Sequence, residues 1–190
     1  MNPILNSLDV LPIRTARLEL RKIRRDDASF FFDMFSNSEV MRYWSTPPMS
    51  DRSQAELWVE EAVRSYDRGQ WFPLVAARVE DEAPIGYCSL HSFHFESRRA
   101  ELGYALAHPY WGAGYMHEAL CAVVDFAFGQ LSLHRLEADL DPENAASART
   151  VERLGFVREG HLRERWIVDG TITDSWIYGL LEQEWRSRNS

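Results

Sequence analysis

The sequence predicts an α/β fold: a single domain on one mixed, mostly antiparallel central sheet flanked by helices, in the order βαα-βββ-α-β-α-ββ. Three observations carry this prediction. Short stretches of alternating apolar and polar residues recur between turn residues, as half-buried strands require. Two long segments place their apolar residues at helical spacing. Three strands joined by tight turns read as an antiparallel meander, and a strand–helix–strand unit after them reads as a crossover.

Each element follows in order. Ile13 to Ile23 reads as the first strand, with Leu18, Leu20 and Lys22 alternating against Arg17, Glu19 and Arg21. Asp26 or Asp27 is placed to cap a short helix through Phe35. Val40 to Ser50 reads as loop because Pro47-Pro48 cannot continue a helix. Ser50 or Asp51 opens a second helix that puts Ala55, Trp58, Val59, Ala62, Val63 and Tyr66 at helical spacing and ends at Gly69. The meander is Trp71 to Val79, Ile85 to Phe95 and Arg98 to Ala107. A helix after Gly114 aligns Met116, Ala119, Leu120, Val123, Val124 and Ala127, and Leu133 to Leu140 is the next strand. Asp141 to Asn144 turn into a short helix over Ala145 to Leu154, with Gly155 as its left-handed cap. Phe156 to Val168 and Thr171 to Leu181 form a hairpin, because Asp169-Gly170 suits a type I′ turn.

Composition sets the bounds. The chain has 190 residues, 45% hydrophobic and 26% charged, enough for one domain over 1–190 with a core at about 13–182. A formal net charge of -8 argues against nucleic acid or an anionic membrane as partner and suits a cationic substrate. Cys88 and Cys121 form no C-x-x-C unit and read as reduced thiols. The opening MNPILNSLDVLP has no basic stretch of a signal peptide, and no apolar run approaches the ~20 residues of a membrane span, so a cytoplasmic location is expected.

The most informative stretch is LGYALAHPYWGAGYMHE, Leu102 to Glu118. A strand runs into a Gly112-Ala113-Gly114 turn and a helix follows at once. Glycines there let the backbone approach an anion, and the first free amides of the helix point at it, which holds a pyrophosphate without Lys or Arg. A dinucleotide-binding turn would need a third glycine where His117 stands, and only 76 residues follow Gly114. A Walker loop would need a Gly-Lys pair, which the chain lacks. A turn in which glycine only relieves strain is the plain structural alternative. In the strand before it, Glu101, Gly103, Ala105 and Ala107 share one face. One carboxylate and three small residues leave a slot leading to the turn.

With that segment, the later N-x-x-S…GF (Asn144, Ser147, Gly155, Phe156), the early RLELR from Arg17 to Arg21 and the late Asp169-Gly170, Asp174 and Tyr178, the chain resembles the GNAT N-acetyltransferase superfamily. More narrowly it resembles the RimJ/RimL-type ribosomal-protein N-terminal acetyltransferases and their small-molecule relatives. The resemblance runs from about Thr15 to Leu181.

The resemblance implies acetyl-CoA as co-substrate, no metal, and direct transfer to a primary amine; a domain that binds acyl-CoA without catalysis is an alternative. A protein N-terminal α-amine is the implied acceptor; an amino acid, polyamine or antibiotic is the alternative. It implies that the amides of Trp111, Gly112, Ala113, Gly114, Tyr115, Met116 and His117 cradle the pyrophosphate, although Pro109 stands where a Gln or Arg is usual. His117 either reaches a phosphate oxygen or is an exposed first-turn residue. Pantetheine would lie beside Ala105, Leu106 and Ala107 and touch Asn144, which also reads as a helix N-cap. Glu101 would be the general base, directly or through water, unless Arg98 or Arg99 pairs with it. Ser147 would protonate the leaving thiolate, since the tyrosine used elsewhere in the superfamily falls at Val151. The family implies a monomer or a homodimer. His91 and His94 read as core or surface histidines, and Tyr43 and Trp44 as core or as the roof of an acceptor pocket.

Overall fold

The computed structural model describes residues 10–188, so most of the N-terminal stretch read for targeting signals lies outside the described residues. The first strand departs from expectation. Ile13 to Ile23 is broken into β1 (Ile13–Arg14) and β2 (Leu18–Lys22), which fold back with Ile13 opposite Leu20. Thr15 makes the break: its amide donates to the Leu18 carbonyl at 2.8 Å, and its hydroxyl accepts from the Leu18 amide at 2.9 Å. Such a local side-chain bond competes with the ladder and turns the chain.

Asp27 departs too. Its side chain does not cap α1 (Ala28–Phe35). It is only 5% exposed and takes both terminal nitrogens of Arg21, at 2.7 and 2.8 Å, together with the Arg24 amide at 2.7 Å. A bidentate guanidinium outcompetes a single cap bond. A short helix α2 (Ser38–Met41) intrudes on the segment read as loop, because Asn37 caps it by accepting from Glu39 and Val40. The next helix, α3 (Arg52–Arg68), begins at Asp51, which accepts from the Ser53 amide, and stops at left-handed Gly69.

The meander follows as β3 (Phe72–Arg78), β4 (Pro84–His94) and β5 (Arg99–Leu106), all antiparallel. Then come α4 (Tyr115–Gly129), β6 (Arg135–Leu140) and α5 (Ala145–Leu154). The hairpin β7 (Val157–Val168) and β8 (Thr171–Leu181) turns at Asp169 and Gly170, with φ of 48° and 81°, as a type I′ turn requires. A last helix, α6 (Glu182–Arg188), was not anticipated.

Among the described residues, one sheet holds eight strands in the order β1-β2-β3-β4-β5-β6-β8-β7. Helices cover both faces. On one, Leu120, Val123 and Val124 of α4 pack on Leu20, Leu74, Leu102 and Leu136. On the other, Phe31 and Phe35 of α1 and Val59 of α3 pack on Val75, Tyr87 and Ala105. This two-sided burial explains why β3 reads as a nearly continuous apolar run.

The consequential irregularity lies between β5 and β6. They pair in parallel only from Arg99 to Glu101, against Arg135 to Glu137. Beyond Glu101, β5 stays with β4 while β6 stays with β8, so the sheet opens into a wedge. The start of α5 fills the far side, and the Tyr104 hydroxyl spans the gap to donate to the Ser147 carbonyl at 3.3 Å.

Candidate active site

The wedge contains two cavities that meet at Tyr43, Trp44, Tyr104, Asn144 and Ser147. One, of about 410 Å³, runs toward the glycine turn; the other, of about 450 Å³, runs toward Glu101. Both ends are built by local sequence.

At the first end, Gly112 and Gly114 hold φ of 77° and 79°, a left-handed conformation that favours glycine. A Cβ on Gly112 would meet nothing within 4 Å, so the space before the turn is open. Pro109 sits in a 3₁₀ turn (His108–Tyr110), and Trp111 is anchored through its indole to the Leu106 carbonyl at 2.7 Å. The Trp111 amide closes that turn by donating to the His108 carbonyl at 3.2 Å, which corrects its expected place among the free amides of the cradle. No side chain caps α4, whereas α3 and α5 are each capped by an acidic or amide side chain. The first-turn amides of Tyr115, Met116 and His117 therefore have no intrahelical acceptor and lie at the positive end of the helix. His117 lines the cavity with a buried Nδ1 that has no hydrogen-bond partner. Burial, and then the charge of Arg153, lower its pKa, so it is held neutral. An open turn, uncapped amides and an orphaned ring nitrogen fit a pyrophosphate.

Arg17 braces this turn from behind. Its guanidinium donates to the Ala113 carbonyl at 3.0 Å and to Glu118 at 2.6 Å, and it lies 4.4 Å from the Tyr115 ring centre. The turn also has cations, although the loop itself supplies none. Arg153 lines the cavity, and Arg149 and Arg153 flank a surface hollow beside Gly112. Neither arginine forms an ion pair among the described residues. Sequence reasoning missed both, because their nearness to the turn comes from how α5 packs beside α4.

The strand edge has a polarity of its own. Ala107 donates its amide to Ile85 at 2.9 Å, and Ala105 lies opposite Tyr87. By antiparallel alternation, the main chains of Ala105 and Ala107 face β4, and those of Tyr104 and Leu106 face the wedge. Ala105 and Leu106 line the first cavity, whereas Ala107 packs among the aromatic residues under α1 and α3. Thus Tyr104 and Leu106 offer the edge along which an extended ligand arm can pair.

Asn144 accepts from the Ser147 amide at 3.0 Å, as expected of an N-cap, and both residues line both cavities. Trp44 combines the two roles weighed for it: it packs on Phe35 at 5.4 Å between ring centres and also lines the junction. Tyr104 stands at the same junction, its hydroxyl pKa pushed up to about 12 by burial. Cys88 is fully buried and pushed up to about 12 as well, so it stays a protonated core thiol.

At the second end, Glu101 is half-buried and free of its arginine neighbour, because Arg99 binds Glu137 at 2.7 Å. His91 lies opposite Glu101 in register. It lines this cavity, and a bulge between His91 and His94 separates the two histidines. His94 instead accepts from the Ser97 amide at 3.1 Å. Among the described residues, no group of three or more His, Cys, Asp or Glu could hold a metal ion.

Comparison with known proteins shows the family. The family described as the acetyltransferase (GNAT) domain matches residues 17–157. The chain belongs to the GNAT acetyltransferase family. It is 33% identical over 171 residues to the uncharacterized N-acetyltransferase p20 of Bacillus licheniformis, covering 90% of this chain and 96% of that protein. Its fold matches a Bacillus anthracis GNAT-family acetyltransferase with a TM-score of 0.82 and 25% identity, over 90% of this chain and 99% of that one. The Vibrio cholerae spermidine N-acetyltransferase, solved with CoA and spermine, matches with a TM-score of 0.81 and 25% identity, over 90% and 99%. This GNAT protein is an acetyl-CoA-dependent N-acetyltransferase.

Proposed function

We propose that this GNAT enzyme acetylates the primary amine of a compact cationic acceptor, such as a polyamine. The carrying observation is the charge of the second cavity. Glu101, Asp139, Asp141 and Asp174 line it, and Arg165 is the one Lys or Arg among its lining residues. Arg165 lies 3.6 Å from Asp139, and Asp174 is taken by His161 at 2.6 Å and by the Glu164 amide at 2.8 Å. Such a cavity attracts an ammonium group and stabilises a second cation nearby. A relative named for spermidine, 25% identical over 92% of this chain, points the same way.

Bound acetyl-CoA supplies an activated acyl carbon that an amine attacks directly. The free amides at the turn and at the uncapped helix start, from Gly112 to His117, would hold its pyrophosphate, with Arg149 and Arg153 alongside. The edge of Tyr104 and Leu106, with Asn144 opposite, orients the pantetheine arm toward the junction. Glu101 drives removal of the amine's proton, and Ser147 offers a proton to the departing sulfur. Positioning in the wedge supplies much of the rate, because both reactants arrive at one junction.

A second reading, the α-amine of a protein N-terminus within the RimJ/RimL-type group, is favoured by the hairpin tip. Trp166 lines the second cavity while 38% exposed, and Ile167 beside it is 70% exposed. Residues following an N-terminal amine would lie on that surface. Among the described residues no helix is long and apolar enough to cross a membrane. A CoA-release assay over polyamines, amino acids, aminoglycosides and N-terminal peptides decides. A polyamine kcat/KM at least tenfold above that of any peptide is expected; the reverse order selects the second reading.

A further inference from the structure

We infer that His91 is the immediate acceptor of the amine's proton through Nε2, while the Glu101 carboxylate orients the ring and steadies its charge. This deepens the proposed reaction and rests on it. His91 on β4 faces Glu101 on β5 across one rung of the ladder, with Nδ1 3.9 Å from Glu101 Oε2 and 3.0 Å from Ser92 Oγ. A ring that donates from Nδ1 to Ser92 carries its lone pair on Nε2. That nitrogen lies 3.2 Å from the point where a side chain on residue 103 would begin, and residue 103 is glycine. Gly103 therefore puts no side chain against Nε2, and both residues line the acceptor cavity. The bulge after His91, with Ser92 at φ 51°, bends the strand at this point, a common device for aiming a side chain into a site.

The surroundings suit a base. Burial holds the imidazole below its ordinary protonation range, and Glu101 opposes part of that shift. The ring is thus neutral near pH 7, with a carboxylate ready to stabilise the imidazolium. The other titratable groups facing the cavity are committed elsewhere or protonated. Tyr104 is pushed up to about 12, Asp139 faces Arg165, Asp174 holds His161, and Asp141 accepts from the Glu143 amide at 2.7 Å. Tyr43 completes the wall. In the step, the amine nitrogen bonds to the acetyl carbon and its proton passes to Nε2. The carbon–sulfur bond breaks, its electron pair leaves on sulfur, and a proton delivered through Ser147 or from solvent completes the thiol. Imidazolium then returns its proton to solvent.

Two measurements test this. NMR titration of the imidazoles in the free protein should show His91 below its ordinary value of about 6.5, and Glu101→Gln should lower it further. In kinetics, His91→Gln should reduce kcat about 100-fold or more, with acetyl-CoA affinity within twofold. The acid limb of kcat/KM should coincide with the His91 titration and move to lower pH in Glu101→Gln. Retention of more than a third of kcat in His91→Gln, with an unmoved acid limb, would overturn the inference and make Glu101 through water the base. A His91 that titrates at or above 6.5 and ignores Glu101→Gln overturns it even if His91→Gln fails to fold. If the wild type acetylates no amine, the proposed reaction falls, and the titration still decides the pairing.

Discussion

Gly112→Val tests the phosphate cradle most sharply. Gly112 has φ 77°, and a side chain there would point into open space, so no clash accompanies the substitution. The effect comes from the backbone. An L-residue in the left-handed region costs about 1–2 kcal/mol, and a β-branched one is a clear outlier there. If the turn keeps its shape, that strain should lower Tm by roughly 2–8 °C for a chain of this size. If it relaxes to negative φ, the amides of the turn swing away from the phosphates. Losing one amide bond to a charged oxygen costs about 1.5–3 kcal/mol, or roughly 10- to 150-fold in Kd. Bulk at the mouth of the cavity acts in the same direction. Calorimetric titration with acetyl-CoA, beside a thermal melt, reads both. Unchanged affinity, with or without a lower Tm, would refute the cradle.

Two further outcomes follow from the same geometry. Ser147→Ala should lower kcat about tenfold or more while leaving the KM for acetyl-CoA nearly unchanged, because the cap bond uses the Ser147 amide and not its hydroxyl; an equal rate would remove Ser147 from the chemistry. The double change Arg149→Ala, Arg153→Ala should raise the KM for acetyl-CoA roughly 5- to 30-fold, about 1–2 kcal/mol, with kcat preserved and a flatter dependence on salt. A salt profile identical to that of the wild type would show that neither arginine faces the phosphates.

What was legible in the sequence was local. Asp51 and Gly69 bound their helix, Asn144 and Gly155 bound theirs, and Asp169-Gly170 made its hairpin, because each is a matter of a few consecutive residues. The glycine turn and the neighbourhood of Glu101 were visible for the same reason. What failed was set by distant partners. Asp27 was recruited by Arg21 instead of its own helix, and Thr15 broke a strand whose alternation looked continuous. His91 is ordinary in sequence and gains its place only when β4 pairs with β5 beside a glycine. Arg149 and Arg153 looked like solvated helix residues until α5 packed near the turn. In the small-faced strand the side chains were legible and the main-chain polarity was not. Ala105 and Ala107 have the small side chains, but Tyr104 and Leu106 turn their main chain to the wedge.

The central claim is that one wedge holds donor and acceptor together at the Tyr104–Ser147 junction, so that transfer is direct. Initial-rate kinetics with both substrates varied, read beside intact-protein mass spectra, tests it. The account predicts intersecting double-reciprocal lines and no acetylated protein during turnover. Parallel lines with a stable acetyl-protein would contradict it, because a covalent relay needs only one substrate in the wedge at a time.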